Sequence, residues 1–194
     1  GEIFGGAKLE GAFLSGINTA NYLVNNRVVG MWKTLKLNYG KKESVWDYPR
    51  PPRLETCSSE IEIIFGSIIA KTNNSYRILE TSHPPTFYLP RLAFKEGVLV
   101  PIHCKTLCEW KGEAEYFDIK STDGRISKKS AWSYNSPTDD FIKIKGYIAI
   151  YPNSVDSCFL NNEEVKSQDG DFYGGWVTSE IVGPFKGGVG SFGW

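Results

Sequence analysis

The stretch Glu60-Ile61-Glu62-Ile63-Ile64-Phe65-Gly66-Ser67-Ile68-Ile69 opens the part of the chain whose reading decides the fold. Its β-branched density predicts strand, since such side chains pack well on a pleated surface and lose rotamer freedom in a helix. Working outward, Arg77 to Leu79 and Phe87 to Leu89 are further short apolar runs, separated by Asn73-Asn74, Pro84-Pro85 and Pro90-Arg91. Such punctuation ends strands abruptly. Ala114 to Ile119 leads into the turn sequence Thr122-Asp123-Gly124, and Lys143 to Tyr151 is the longest β run. Within it Tyr147, Ala149 and Tyr151 fall on one face and Ile148 and Ile150 on the other, which marks a central strand.

Residues 7 to 24 differ: Leu9, Phe13, Ile17, Ala20 and Val24 recur at intervals of three and four, one apolar helical stripe. Asn25-Asn26 ends it, and Lys33 to Lys42 reads as a linker or loosely packed strand. The only methionine is Met31, so Gly1 is expected to be a processed or added end. From Asp171 onward, glycines alternate with Trp176, Phe185, Phe192 and Trp194, an irregular closing segment pinned by rings.

Composition narrows the function classes. Lys plus Arg and Asp plus Glu are equal at 22 each among 194 residues, so no net field draws the molecule to nucleic acid or to an anionic membrane. No run approaches a membrane span or a secretory signal, and the expected location is cytoplasmic. The four cysteines, Cys57, Cys104, Cys108 and Cys158, lack paired zinc-knuckle spacing and a disulfide-framework pattern, so reduced thiols and no metal or cofactor are expected. Aromatic residues make up 14% of the chain, and with 20 Gly and 10 Pro this mixture favours strands and tight turns.

Several residues carry chemistry. His83, in Ser82-His83-Pro84-Pro85-Thr86, is expected on a rigid turn, either as a proton-transfer or ligand-binding group or as a stiffener of that turn. Glu80 is the acid placed to orient it. Cys108, beside Glu109, Trp110 and Lys111, could act as a nucleophile with His83 as base across a cleft, or be a buried, inert thiol. Tyr48, Trp46, Trp110, Trp132 and Tyr134 lie in or beside turn-rich segments and could line a cleft for a planar or cationic ligand, or pack as ordinary core. Arg50 and Arg53, flanking Pro51-Pro52, could hold a carboxylate or phosphate bidentately, or be solvated on an extended entry segment. Lys128-Lys129 reads as a surface turn, and Asp139-Asp140 and Glu163-Glu164 as solvated acids without a catalytic role.

Read together, Trp46 to Arg53, Glu80 to Thr86, Cys108 to Gly112, Phe172 to Trp176 and Ile181 to Gly188 resemble domain of unknown function 427, over roughly residues 43 to 194. The resemblance implies a β-tent fold, in which two antiparallel sheets lean together around a cleft. The family's nucleotidyltransferase-like label would require spaced metal-binding aspartates after a Gly-Ser pair, and none follow Gly66-Ser67. Zinc sites of the fold's relatives need paired cysteines that this chain does not supply. Separately, Gly5 to Gly16 resembles the last helix of flavin-dependent amine oxidases, though no dinucleotide-binding glycine motif follows a strand to complete such a site.

The expectation is therefore a mainly β molecule, antiparallel sheets of β-tent type around a cleft, with residues 1–42 as a helical appendage and linker and 43–194 as the domain. Its expected role is binding a small planar or cationic molecule. A hydrolytic or redox enzyme using Cys108 or His83 is the alternative, and a partner-docking protein, with a homodimer as its assembly, is a third.

Overall fold

The computed structural model describes residues 42–170 and 172–191. The helix expected over 7–24, the segment similar to the flavin enzymes and nearly all of the linker before residue 43 lie outside the described residues, as do Phe192 and Trp194.

The described residues are mainly β, in several antiparallel sheets. In chain order the strands are β1 (Glu43–Ser44), β2 (Arg53–Cys57), β3 (Ile61–Phe65), β4 (Ser67–Thr72), β5 (Ser75–Glu80), β6 (His83–Tyr88), β7 (Leu99–Cys108) and β8 (Gly112–Lys120). There follow β9 (Ile126–Ser133), β10 (Ile148–Ile150), β11 (Ser157–Leu160), β12 (Glu163–Glu164), β13 (Lys166–Ser167), β14 (Trp176–Val177) and β15 (Ile181–Val182). The Ile61–Ile69 run is a hairpin rather than one strand, because Gly66 takes φ +76° and reverses the chain between the paired Phe65 and Ser67. The Gly66 N–H donates to Asp156 Oδ2 at 2.7 Å, which ties this turn to the segment entering β11.

The three larger sheets among the described residues are β12-β11-β3-β4, β10-β9-β8-β7 and β2-β5-β6. The last two are joined where Leu89 and Ile148 exchange both backbone hydrogen bonds at 2.8 Å, so β6 continues edge to edge into β10. Period-two alternation then sorts side chains onto two faces of this joined surface. One face contributes Phe87, Leu89, Phe117, Ile119, Ala131, Ile148 and Ile150 to an aliphatic core shared with Ile61, Ile63 and Ile69 of the β3–β4 hairpin and with Trp176 of the tail. The opposite face contributes Ile78, Tyr88, Tyr116, Trp132 and Ala149 to a second, aromatic core with Tyr134. Each fully buried aliphatic side chain in the first core contributes about 1.5–3 kcal/mol through water exclusion, and that core holds the second face rigid.

Three local expectations are corrected. The Lys143–Tyr151 run is mostly not strand: residues 139–144 form a 3-10 turn, Gly146 takes φ +73°, and only Ile148–Ile150 enter the ladder, at the edge of their own sheet. Among the described residues the longest strand is β7. Its two-faced alternation is nonetheless real, with Ile148 and Ile150 in the first core and Ala149, Tyr147 and Tyr151 in or against the second. Lys128 and Lys129 lie within β9 at an irregularity opposite Asp118, where Lys129 takes φ +51°. Lys128 Nζ there meets Asp118 Oδ2 at 2.7 Å. Finally, the turn expected around His83 closes one residue earlier: Thr81-Ser82, with Ser82 at φ +69°, joins β5 to β6, and His83 and the prolines are already strand.

Candidate functional site

A cleft of about 450 Å³ opens on the aromatic face, between β5–β6 on one side and β7–β9 on the other. Its inner wall follows from strand alternation. Tyr88 points opposite to Phe87 and Leu89, Trp132 opposite to Ala131, and Tyr151 opposite to Ile150, so the larger rings face the cleft while aliphatics fill the core behind. Trp132 and Tyr151 stack at 4.6 Å between ring centroids with a 43° tilt, and Tyr88 meets Trp132 edge-on at 6.3 Å. Trp132 Nε1–H donates to Tyr88 Oη at 3.2 Å, and Tyr134 lies 6.3 Å from Tyr88. Burial above all raises the pKa of Tyr88, Tyr134 and Tyr151, so all three phenols stay neutral near pH 7.

His83 stands at the polar end. Gln168 Nε2 lies 3.0 Å from His83 Nδ1 and also donates to the carbonyl of Lys186 at 2.6 Å. That carbonyl can only accept, so it fixes which way the Gln168 amide points and makes Nδ1 an acceptor. The imidazole proton is thereby assigned to Nε2. Burial, and after it the positive charge of Lys186, pulls the His83 pKa down to about 4, which keeps the ring neutral at physiological pH. Tyr173 covers the ring at 4.8 Å.

The segment that brings Tyr173 there depends on two glycines. A Cβ on Gly174 would fall inside the Trp132 ring, and one on Gly175 would strike Gln168 Oε1 and the Pro84 carbonyl. The tail backbone can therefore lie directly against the cleft wall only because both positions lack a side chain.

Around the mouth, Arg50 bonds Glu109 Oε1 at 2.9 Å, approaches Glu80 Oε1 at 4.0 Å and lies 5.9 Å from the Trp110 ring centroid. Lys111 and Lys186 line the same cleft. Thr106 Oγ1 and Tyr116 Oη share a 2.9 Å hydrogen bond deeper in.

Of the residues singled out from sequence, Arg50, Glu80, His83, Cys108, Trp110, Trp132 and Tyr134 all line this one cleft. Tyr48 does not: it packs with Val45 and Leu79 and donates its hydroxyl hydrogen bond to Glu43 Oε2 at 2.7 Å. Trp46 likewise lies elsewhere, donating from Nε1 to the Pro184 carbonyl at 3.0 Å and so tethering the tail. Glu80 is the backbone partner of His83 across the hairpin, yet the residue that holds the imidazole is Gln168. Sequence reasoning passed over Gln168, which sits in a polar stretch with no periodicity. It also passed over Tyr88 and Tyr151, whose position opposite aliphatic strand neighbours was the available signal.

The thiols divide between the two cores, Cys57 and Cys158 at the first and Cys104 and Cys108 at the second, and all four are free. Cys108 lines the same cleft as His83, whose one unprotonated nitrogen, Nδ1, already accepts from Gln168. No helix among the described residues is long and apolar enough to cross a membrane.

Comparison with known proteins gives one family assignment. No curated protein matches the chain. The sequence profile described as Domain of unknown function (DUF427) matches residues 53–161, which span β2 to the turn after β11 and include His83, Trp110, Trp132 and Tyr134. The chain belongs to the Domain of unknown function (DUF427) family.

Proposed function

We propose that this domain binds a small planar molecule in the cleft between β5–β6 and β7–β9. The observation that carries the reading is the wall of neutral rings, Tyr88, Trp132, Tyr134 and Tyr151, held on one face of a two-sided sheet whose other face is an aliphatic core. Flat apolar faces backed by a rigid layer favour a flat ligand, because stacking requires little side-chain ordering on binding. Trp110 extends this surface at the mouth, where the Thr138 hydroxyl fixes its backbone by donating to the Trp110 carbonyl at 2.6 Å. A volume of about 450 Å³ suits one or two fused rings.

Binding is favoured over catalysis by the state of His83. A general base needs an unprotonated nitrogen facing its target, and the nitrogen that could serve is occupied by Gln168.

The test is ligand-observed NMR with bicyclic aromatic compounds and saturated compounds of matched size, on the protein and on Trp110→Ala. The reading predicts saturation transfer to the planar set alone and a loss of affinity of about tenfold in the variant, the scale expected for one lost aromatic contact. Equal transfer to both sets, or binding indifferent to Trp110→Ala, would overturn it.

A further inference from the structure

The polar end of the cleft says which kind of planar molecule would fit, an inference that rests on the binding reading above. Around the rings, polar atoms bond one another: Trp132 Nε1–H donates to Tyr88 Oη, and Thr106 Oγ1 shares a hydrogen bond with Tyr116 Oη. At the mouth the Arg50 guanidinium is held by Glu109 and approached by Glu80. His83 differs. Its Nδ1 accepts from Gln168, which leaves the hydrogen on Nε2, and among the described residues nothing bonds that nitrogen. Nor is it sealed away: the buried side-chain atoms without a partner among the described residues are Trp110 Nε1, Ser133 Oγ and Trp176 Nε1. An unbonded, unsealed N–H on a residue that lines the cleft is a donor open to whatever fills it. Trp110 lines the same cleft, but its Nε1 is closed off from solvent and offers a ligand no hydrogen.

The direction of the His83 donor is set before a ligand arrives. Gln168, itself held by the Lys186 carbonyl, fixes one edge of the imidazole, and Tyr173 covers the ring at 4.8 Å. Little ordering entropy is therefore lost when Nε2–H finds an acceptor. A ligand that covered this N–H without accepting from it would strip the donor of water and leave it unmet, which costs more than the bond would gain. A ligand N–H at the same place, an ammonium included, would set donor against donor, which disfavours the cationic class expected from the rings alone.

We propose that the ligand is a planar aromatic heterocycle with an acceptor in the plane of its rings, a ring nitrogen or a ring carbonyl, that accepts from His83 Nε2–H while the rings lie against Trp132, Tyr134 and Tyr151. The lone pairs of such an acceptor lie in the ring plane. Hydrogen bonding at the edge and stacking across the face then do not compete, and one flat molecule satisfies both ends of the cleft.

Three probes of similar size separate this inference from the reading beneath it: isoquinoline, which only accepts; indole, whose N–H only donates; and naphthalene, which does neither. Each is titrated into the full chain in mildly alkaline buffer, where isoquinoline is unprotonated, and followed by protein-observed NMR. Isoquinoline should bind about three- to tenfold tighter than either of the others, the scale of one net hydrogen bond. The proton on His83 Nε2 should move downfield with isoquinoline and not with naphthalene. Its signal is assigned with His103→Ala, since His103 is the other histidine and lies outside the cleft lining. His83→Phe keeps a ring beneath Tyr173 and removes the donor, so its preference for isoquinoline over naphthalene should fall to about twofold or less while naphthalene affinity changes by less than about threefold. Should that variant fail to fold, the Nε2 proton of the wild type still decides. Naphthalene or indole as tight as isoquinoline, an unmoved Nε2 proton at saturation, or a preference that survives His83→Phe overturns the acceptor assignment and leaves the planar reading standing. Binding of none of the three overturns both.

Discussion

At the residue scale, the state of His83 is set by its neighbours rather than by its own chemistry, and that makes it measurable. Its pKa falls from the ordinary 6.5 to about 4 in the folded protein. Between these values the unfolded chain binds a proton that the folded one refuses, so stability is full above about pH 6.5 and declines as pH falls toward 4. The loss is on the order of 2–3 kcal/mol over that window. Urea unfolding of wild type and His83→Gln at several pH values should show the wild type losing stability between pH 6.5 and 4.5 and the variant losing less over the same interval. Gly174 gives a second prediction. Gly174→Ala forces a methyl into the space of the Trp132 ring and should cost about 1–3 kcal/mol, read as a lower melting temperature with altered tryptophan fluorescence. Residue types announced part of this site, since rare or chemically distinctive groups such as His83, Cys108, Trp110 and Trp132 stand out in any sequence. Gln168 could not be found that way. It acts through an amide aimed at a residue 85 positions away in sequence, and no local pattern encodes such a contact.

At the element scale, alternation was legible and strand extent was not. The two faces of Ile148–Ile150 follow from period two, whichever residues end the strand. What lies before them was misread because Ile142 and Ile144 continue an apolar spacing that also suits a 3-10 turn; Ile144 is fully buried, whereas Ile142 is half exposed. The difference predicts that Ile144→Ala costs about 2–5 kcal/mol in denaturant unfolding, against about 0.5 kcal/mol or less for Ile142→Ala. Likewise, Lys128-Lys129 carried no sign of its true place, because a bulge inside a strand uses the residues of a turn. Asp118 marks it: its carboxylate accepts from Lys128 Nζ at 2.7 Å and from the Lys129 N–H at 2.9 Å. Lys128, and then that backbone donor, hold the Asp118 carboxyl below the usual carboxylate range. Its stabilising effect is therefore complete above about pH 4 and disappears as pH falls through the lowered value. Asp118→Asn should be less stable than wild type at pH 7, with the gap narrowing in acid.

At the scale of the whole molecule, sequence pattern supplied the class, mainly β, and the family resemblance supplied antiparallel sheets around a cleft. The joining of two sheets at Leu89 and Ile148 was beyond either, since it rests on one reciprocal pair of backbone bonds between residues 59 positions apart. That junction is what turns separate strands into a single two-sided layer, aliphatic behind and aromatic in front. The function proposed here depends on that layer, for the ring wall is only as rigid as the core beneath it.

The central claim is that a planar ligand stacks in the aromatic cleft, and the indole N–H resonances of the six tryptophans report on it directly. Trp132 and Trp110 line the cleft, while Trp176 is fully buried in the opposite core and serves as an internal reference. Titration with a bicyclic aromatic compound should shift the Trp132 and Trp110 signals saturably and leave Trp176 in place. Saturable binding with Trp132 and Trp110 unmoved, or no binding by any planar compound, would contradict the account.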